Sequence, residues 1–293
     1  MPTREALGRD DLLGAWRRLG VRDGDVLMVH ASLSAFGAVD GGASVVVDSL
    51  CAAVGAAGTL VMPAFTPQVA DPDPSVAGPP PSDVQARRDA VPLFTPDTPS
   101  QMGAVPEELR RTAGTLRSSH PQVSVVAHGR AAGQVVARQS LAYGVGEVSP
   151  FGTVRELGGR VLLLGVGHDR NTFLHHAEGR SPHHRRKLRR FPAVVAGERA
   201  WVESADVADD LGTLFPLVGA EFEARGTTSS GTVGQALCRL FDADDLVRFA
   251  TRRFDELLRP GGAEEGGRGD PWSSPARTAG EPGGAAVSPA ARG

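Results

Sequence analysis

The 293 residues carry 31 basic and 34 acidic side chains, a formal net charge of −3, and this near balance supplies no field for gripping nucleic acid. Hydrophobic residues at 41% and charged residues at 22% are ordinary globular usage, which excludes wholesale disorder, while two cysteines without a CxxC spacing exclude a disulfide-stapled scaffold. Residues 1–11 are polar and no apolar run approaches the roughly 20 residues of a bilayer span, so the chain reads as a cytoplasmic protein with neither a membrane nor nucleic acid as partner.

Residues 4–19 place Leu7, Leu12, Leu13, Trp16 and Leu19 at helical spacing and stop at Gly20, an amphipathic opening helix. Residues 25–30 form a short β-branched strand, followed by a turn, a helix over 42–54 and a second strand over 58–63. That βαβ pattern predicts an α/β fold, with a central mostly parallel sheet covered by helices. Residues 66–99, with Pro79, Pro80 and Pro81 at their centre, read as a Pro-rich insertion loop rather than an element. Helices are expected at 103–112 and 129–140, strands at 123–127 and 160–166, a helix start at 171–178, and a strand at 201–203 beside a hairpin from Phe191. A terminal helix, broken near Asp242, is expected over 232–258. Residues 1–259 thus form a single domain, and the Gly/Pro/Ala-rich 260–293 read as a disordered tail that buries too little apolar area to offset its ordering entropy.

Three segments could carry chemistry. Residues 165–178 leave the most strand-like run through a glycine turn and enter a helix, the place where open α/β sheets put their sites. There Thr172, His175 and Glu178 share one helix face: an imidazole can take a proton and a carboxylate behind it can fix the tautomer. The plainer alternative is a satisfied core histidine beside a solvated glutamate. The turn at 30–37, with Ser32, Leu33 and Ser34, offers hydroxyls and backbone N–H groups to an anionic or amide oxygen, or is an ordinary capped turn. Residues 116–125 offer the planar fork of Arg117 and the hydroxyl of Ser118, or form a polar loop. His168, His175, His176, His183 and His184 lie close in sequence, yet no HExxH, CxxC or DxH spacing accompanies them, so no metal is expected. The basic run 183–190 reads as solvated surface. It holds Lys187, the only lysine, a skew assigned to codon usage.

Read together, HASLSxxG at 30–37, GTLxMP at 58–63, RSxHPxxS at 117–124 and GVGHDxNTxLHxAE at 165–178 resemble the aminoglycoside 3-N-acetyltransferase family, a fold group separate from the GNAT acetyltransferases. The resemblance spans residues 4–258. It implies acetyl transfer from acetyl-CoA, as cosubstrate, to the 3-amino group of a 2-deoxystreptamine antibiotic, conferring resistance by direct attack in a ternary complex. In this resemblance His175 is the general base, Glu178 its orienting carboxylate and Thr172 the neighbouring hydroxyl. Ser32, Leu33, Ser34, Arg117, Ser118 and Val166 receive coenzyme A. Asp169, Glu147, Glu221 and Glu223 are the carboxylates expected to receive a polycationic sugar. An aminoglycoside or another polyamine is the expected small-molecule partner, and a homodimer is compatible with the family. The chain departs from the pattern at Glu147-Val148-Ser149, where GEGSP is common, and in the loop after GTLxMP, which leaves open another amine acceptor or a non-catalytic CoA-binding module.

Overall fold

The computed structural model describes residues 6–73, 81–260 and 286–288. The opening helix α1 (Arg9–Leu19) buries Leu12, Ala15, Trp16 and Leu19 and ends where Gly20 turns left-handed, starting five residues later than the 4–19 expected from periodicity. Strand β1 (Val26–Ala31), helix α2 (Gly42–Val54) and strand β2 (Thr59–Pro63) form the βαβ unit, with Met28 opposite Val61 in a parallel register. Then come α3 (Val84–Ala90), α4 (Ala104–Arg111), β3 (Leu116–Arg117), β4 (Val125–Gly129), α5 (Ala132–Val136) and α6 (Pro150–Glu156). Strand β5 (Arg160–Leu164) leads to α7 (Phe173–Glu178), the β6 (Arg186–Val195) and β7 (Glu198–Val207) hairpin, and α8 (Leu214–Glu223). The hairpin β8 (Ser229–Val233) and β9 (Ala236–Asp242), helix α9 (Ala243–Leu258) and the short β10 (Ala286–Ser288) complete the described elements.

The main sheet has the order β3-β4-β2-β1-β5-β9-β8. Its centre is parallel, β1 pairing with both β2 and β5, and only β4 and β9 run against the other strands, so the expected mostly parallel α/β sheet is found. Because helices cover both faces, these strands are largely apolar: β2 is buried at every position. One core layer gathers Trp16, Phe36, Leu50 and Leu164. The other gathers Phe151, Phe173, Phe215 and Phe254 and holds α7 between the sheet and α9. A second sheet pairs β6 with β7, and β7 with β10.

Several local expectations are corrected. Residues 232–241 are strand, not helix: Gly234, at φ 58°, turns the chain between β8 and β9, and the helix starts only at Ala243, capped by the Asp242 carboxylate accepting from Asp245 N. The helix expected at 129–140 shrinks to α5. Helices α6 and α8 went unread. The 66–99 segment contains α3 and is anchored, because the buried Asp71 carboxylate accepts from both Arg88 and Arg190. The basic run is not solvated surface either. Arg185, Arg189 and Arg190 pair with Glu178, Asp206 and Asp71, because β6 and the residue before it run over buried carboxylates. The prolines at 79 and 80 and most of the tail fall outside the described residues.

Candidate active site

A cavity of about 930 Å³ opens at the C-terminal ends of β1, β2 and β5, in the size range of ligand pockets and at the edge where open α/β sheets bind them. The turn after β1 forms one wall with Ser32, Leu33 and Ser34, and the loop after β5 forms another with Gly165, Val166 and Asp169. Gly165 permits this approach: its φ is +63°, and a Cβ there would lie 2.3 Å from Ala35 Cβ. Backbone pairing closes the corner, Ser32 N donating to Leu164 O at 2.9 Å. The hydroxyls of Ser32 and Ser34 lie 3.2 Å apart. Gly42 at the start of α2, and Gly103 with Ala104 at the start of α4, also line the cavity, so two helix N-termini bring positive potential to it.

The loop at 165–170 is pinned from behind. His168 Nε2 donates to Glu223 Oε1 at 2.9 Å, and that oxygen also lies 2.7 Å from Arg239 Nε. Asn171 Nδ2 then donates to His168 Nδ1 at 3.2 Å. Burial lowers the His168 pKa, opposed by Glu223. Across the cavity corner, Thr172 N–H donates to His30 Nε2 at 2.9 Å, tying the end of β1 to the start of α7.

His175 is one turn further along α7. Its ring meets Phe215 edge-on at 4.6 Å between centroids, and its Nδ1 is buried without a partner. Burial holds its pKa at about 4; Lys187 and Arg189 push the same way, against Asp209 and Asp206. The ring is therefore neutral at physiological pH, the state a proton acceptor requires. Asp206, Asp209 and Lys187 were not singled out as site residues; the run of acidic residues closing β7, Asp206 with Asp209 and Asp210, was the available signal. Lys187 pairs with Asp209, and burial lowers its pKa.

Other assignments are redistributed. Glu178 is fully buried and gives its oxygens to Arg185, Oε1 accepting from Nε and Oε2 from Nη2, each at 2.9 Å, so it does not orient His175. Arg117, Ser118, Thr172 and His175 are not among the cavity-lining residues; α7 meets the cavity through the Thr172 N–H bond to His30. Arg117 spends its donors on the carbonyls of Pro96, Thr98 and Ala64 and on Ser124 Oγ, with burial lowering its pKa to about 10. Ser118 Oγ accepts from Val125 N. Of the four acidic candidates only Asp169 lines the cavity, paired with Arg170 at 3.2 Å. Glu147 pairs with Arg180, Glu221 with Arg253 and Glu223 with Arg239, so arginines already neutralise these three.

The sequence family described as Aminoglycoside 3-N-acetyltransferase matches residues 28–255. The chain belongs to the aminoglycoside 3-N-acetyltransferase family. It is therefore an acyltransferase by membership. The SPbeta prophage-derived aminoglycoside N(3')-acetyltransferase-like protein YokD of Bacillus subtilis (strain 168) is 36% identical over 243 residues, 81% of this chain and 89% of that protein. A solved structure of AAC-IIIb in binary complex with CoASH superposes with a TM-score of 0.78 at 31% identity, covering 88% of this chain and all of that one. AAC-VIa bound to sisomicin gives 0.78 at 30% identity, over 87% of this chain and 100% of that one.

The site is consistent with coenzyme A. Its cavity holds about 930 Å³, it is lined by the hydroxyls of Ser32 and Ser34 and by helix N-termini suited to phosphate oxygens, and among its buried lining residues is His30, whose Nδ1 has no partner. Among the described residues no group of three or more His, Cys, Asp or Glu is placed to hold a metal ion, and no helix is long and apolar enough to cross a membrane.

Proposed function

We propose that the protein transfers an acetyl group from acetyl-CoA to the 3-amino group of an aminoglycoside by direct attack in a ternary complex, with His175 as general base. The observation that carries this reading is the junction at Thr172: its backbone bonds to His30 on the cavity wall, and the same short helix presents His175, held neutral by burial. An ammonium has no lone pair for a thioester, so a neutral imidazole within reach of the amine is the requirement the site must meet. The cosubstrate supplies the activated acyl group. The turn at 32–34 and the loop at 165–167 form its walls, Thr172 sets the start of α7, and Glu178 acts at one remove by fixing Arg185 and the root of β6. Asp169, the one acidic candidate on the cavity wall, is the carboxylate that would receive cationic sugar; Asp209, though near His175, is already paired with Lys187.

Resistance follows because acetylation removes one positive charge from the antibiotic. The neutralisation of Glu147, Glu221 and Glu223 by arginines favours a second reading, in which the acceptor is an amine of lower charge than a polycationic sugar. Following thiol release from acetyl-CoA with aminoglycosides and a panel of simpler amines, with product NMR to locate the new amide, separates the two. Acceptor-dependent release with acetyl on the 3-amino nitrogen is expected. Release with simple amines alone would replace the acceptor, and no acceptor-dependent release from any amine would overturn the reading.

A further inference from the structure

His30 occupies an unusual position for a histidine. It is the penultimate residue of β1 in the parallel centre of the sheet, it is 5% exposed, and it lines the cavity. Its Nε2 accepts the Thr172 backbone N–H at 2.9 Å, so that nitrogen carries no proton and the neutral ring must carry its hydrogen on Nδ1. Burial, with the neighbouring His168 ring, lowers the His30 pKa to about 3, which keeps the ring neutral. Its Nδ1–H is then a fixed donor, and Nδ1 is buried with no partner. A buried donor left unpaired destabilises the fold and calls for an explanation, which a ligand supplying the missing acceptor provides.

The acceptor follows from the layout of the cavity. Its rim, at Ser34 and Arg170, is exposed, whereas Val29 and His30 at its inner end are buried. A nucleotide-tailed thioester carries its charges at one end and its acyl carbonyl at the other, so the charged end stays at the rim and the carbonyl travels inward. That inner end is also tied to the start of α7, because Thr172 N–H bonds His30 Nε2. We propose that His30 Nδ1–H donates a hydrogen bond to the acyl carbonyl oxygen of the thioester and stabilises the negative charge that develops there when the amine attacks. In that step the amine nitrogen bonds to the acyl carbon, the carbonyl π pair moves to the oxygen facing His30, and the C–S bond then breaks to release thiolate. The amine proton leaves to His175, and His30 keeps its proton throughout. A fixed donor at a developing oxyanion is worth about 100–1,000-fold in turnover.

The inference rests on the acetyltransferase reading, and two side chains separate its two halves. In His30→Gln the amide oxygen replaces Nε2 as acceptor for Thr172 N–H while the Nδ1 donor is lost. In His30→Asn the amide nitrogen replaces the Nδ1 donor while the bond to Thr172 is lost. His30→Gln should lose about 100-fold in kcat with KM for the amine, affinity for CoASH and melting temperature near those of the wild type. His30→Asn should melt lower yet keep more turnover per folded molecule than His30→Gln. In the 15N-labelled wild-type protein without acceptor, the Nδ1–H resonance of His30 should move on adding acetyl-CoA and move less with CoASH, which lacks the carbonyl. A His30→Gln protein with wild-type kcat, or an Nδ1–H resonance that responds equally to the two cosubstrate forms, overturns the proposal; if His30→Gln does not fold, the resonance alone decides. A wild-type protein that neither binds nor uses acetyl-CoA would instead refute the acetyltransferase reading.

Discussion

Glu178 faces Arg185 rather than His175, although His175 stands one helical turn away on α7. The pair is bidentate, and Arg185 also reaches Asp210 Oδ1 at 3.2 Å, so one guanidinium joins the end of α7 to the segment entering α8. Removing it strands a fully buried carboxylate. Arg185→Ala should lower stability by about 3–5 kcal/mol, read as a shifted urea midpoint, and Arg185→Lys should rescue little because an ammonium lacks the planar fork. A midpoint within error of wild type would show that Glu178 finds another partner.

The His175 pKa of about 4 lies below the ordinary histidine value near 6.5. Its base form therefore persists well into mild acid, and the acid limb of kcat/KM should fall below pH 6 rather than at 6.5. His175→Ala should reduce turnover by about 100-fold or more and remove that limb. A wild-type limb centred at 6.5 would point to a different, solvent-exposed base.

Stability should respond to acid in the same range. His30, His120 and His175 are held at about 3, 4 and 4 in the folded protein, each chiefly by burial, against about 6.5 when unfolded. Below pH 6.5 the unfolded chain binds protons that the folded chain refuses, so stability rises with pH. The contribution is complete above 6.5 and is lost as pH falls toward 4 and then 3, by about 1.4 kcal/mol per pH unit for each ring. Melting temperatures from pH 7.5 to 4.5 measure it, and His120→Gln should flatten the slope by one ring. An unchanged slope would mean that His120 titrates normally.

Gly219 lies inside α8, where alanine would ordinarily gain about 1 kcal/mol of helix propensity. Here an added Cβ would sit 2.0 Å from His168 Cγ, and overpacking of that kind costs about 1–3 kcal/mol or more. The crowding should win. Gly219→Ala is expected to lower the melting temperature and to raise KM for acetyl-CoA, because the displaced ring pins the 165–170 loop. A stabilised variant with unaltered KM would show that α8 moves away without cost.

A covalent acetyl-cysteine route is disfavoured by the thiols themselves. Burial raises the Cys238 pKa to about 11 and also raises that of Cys51, where Asp48 adds to it, so neither is a thiolate at neutral pH. Neither residue lines the cavity. The double Cys51→Ala, Cys238→Ala variant should keep its turnover per folded molecule, checked by thiol release; loss of turnover without loss of fold would revive the route.

The parts that local chemistry determines were readable in the chain. Strands β1, β2 and β5 are short apolar runs closed by turns, and their order implies a site at their carboxyl ends, where Ser32, Leu33, Ser34 and Val166 are found lining the cavity. What could not be read was pairing over distance. Glu221 meets Arg253 and Glu223 meets Arg239 through the tertiary approach of α8 to α9 and β9, and no spacing in a single element encodes that. The loop contacts of Arg117 are hidden for a similar reason: a free guanidinium and one wrapped in loop carbonyls look identical in sequence. The helix expected from 232 gives way to strand up to Asp242 because the left-handed turn at Gly234 folds β9 back on β8.

With Lys187 as the only lysine and its ammonium placed against Asp209 near His175, the protein offers amine-directed reagents a single side-chain address. A succinimidyl ester acylating that side chain would therefore place a dye next to the proposed proton acceptor without mutagenesis, the terminal α-amino group being the competing site, and amine coupling to a sensor chip would hold the molecule by either amine. Immobilisation through the opposite end of the chain is the better route for measuring what this enzyme binds.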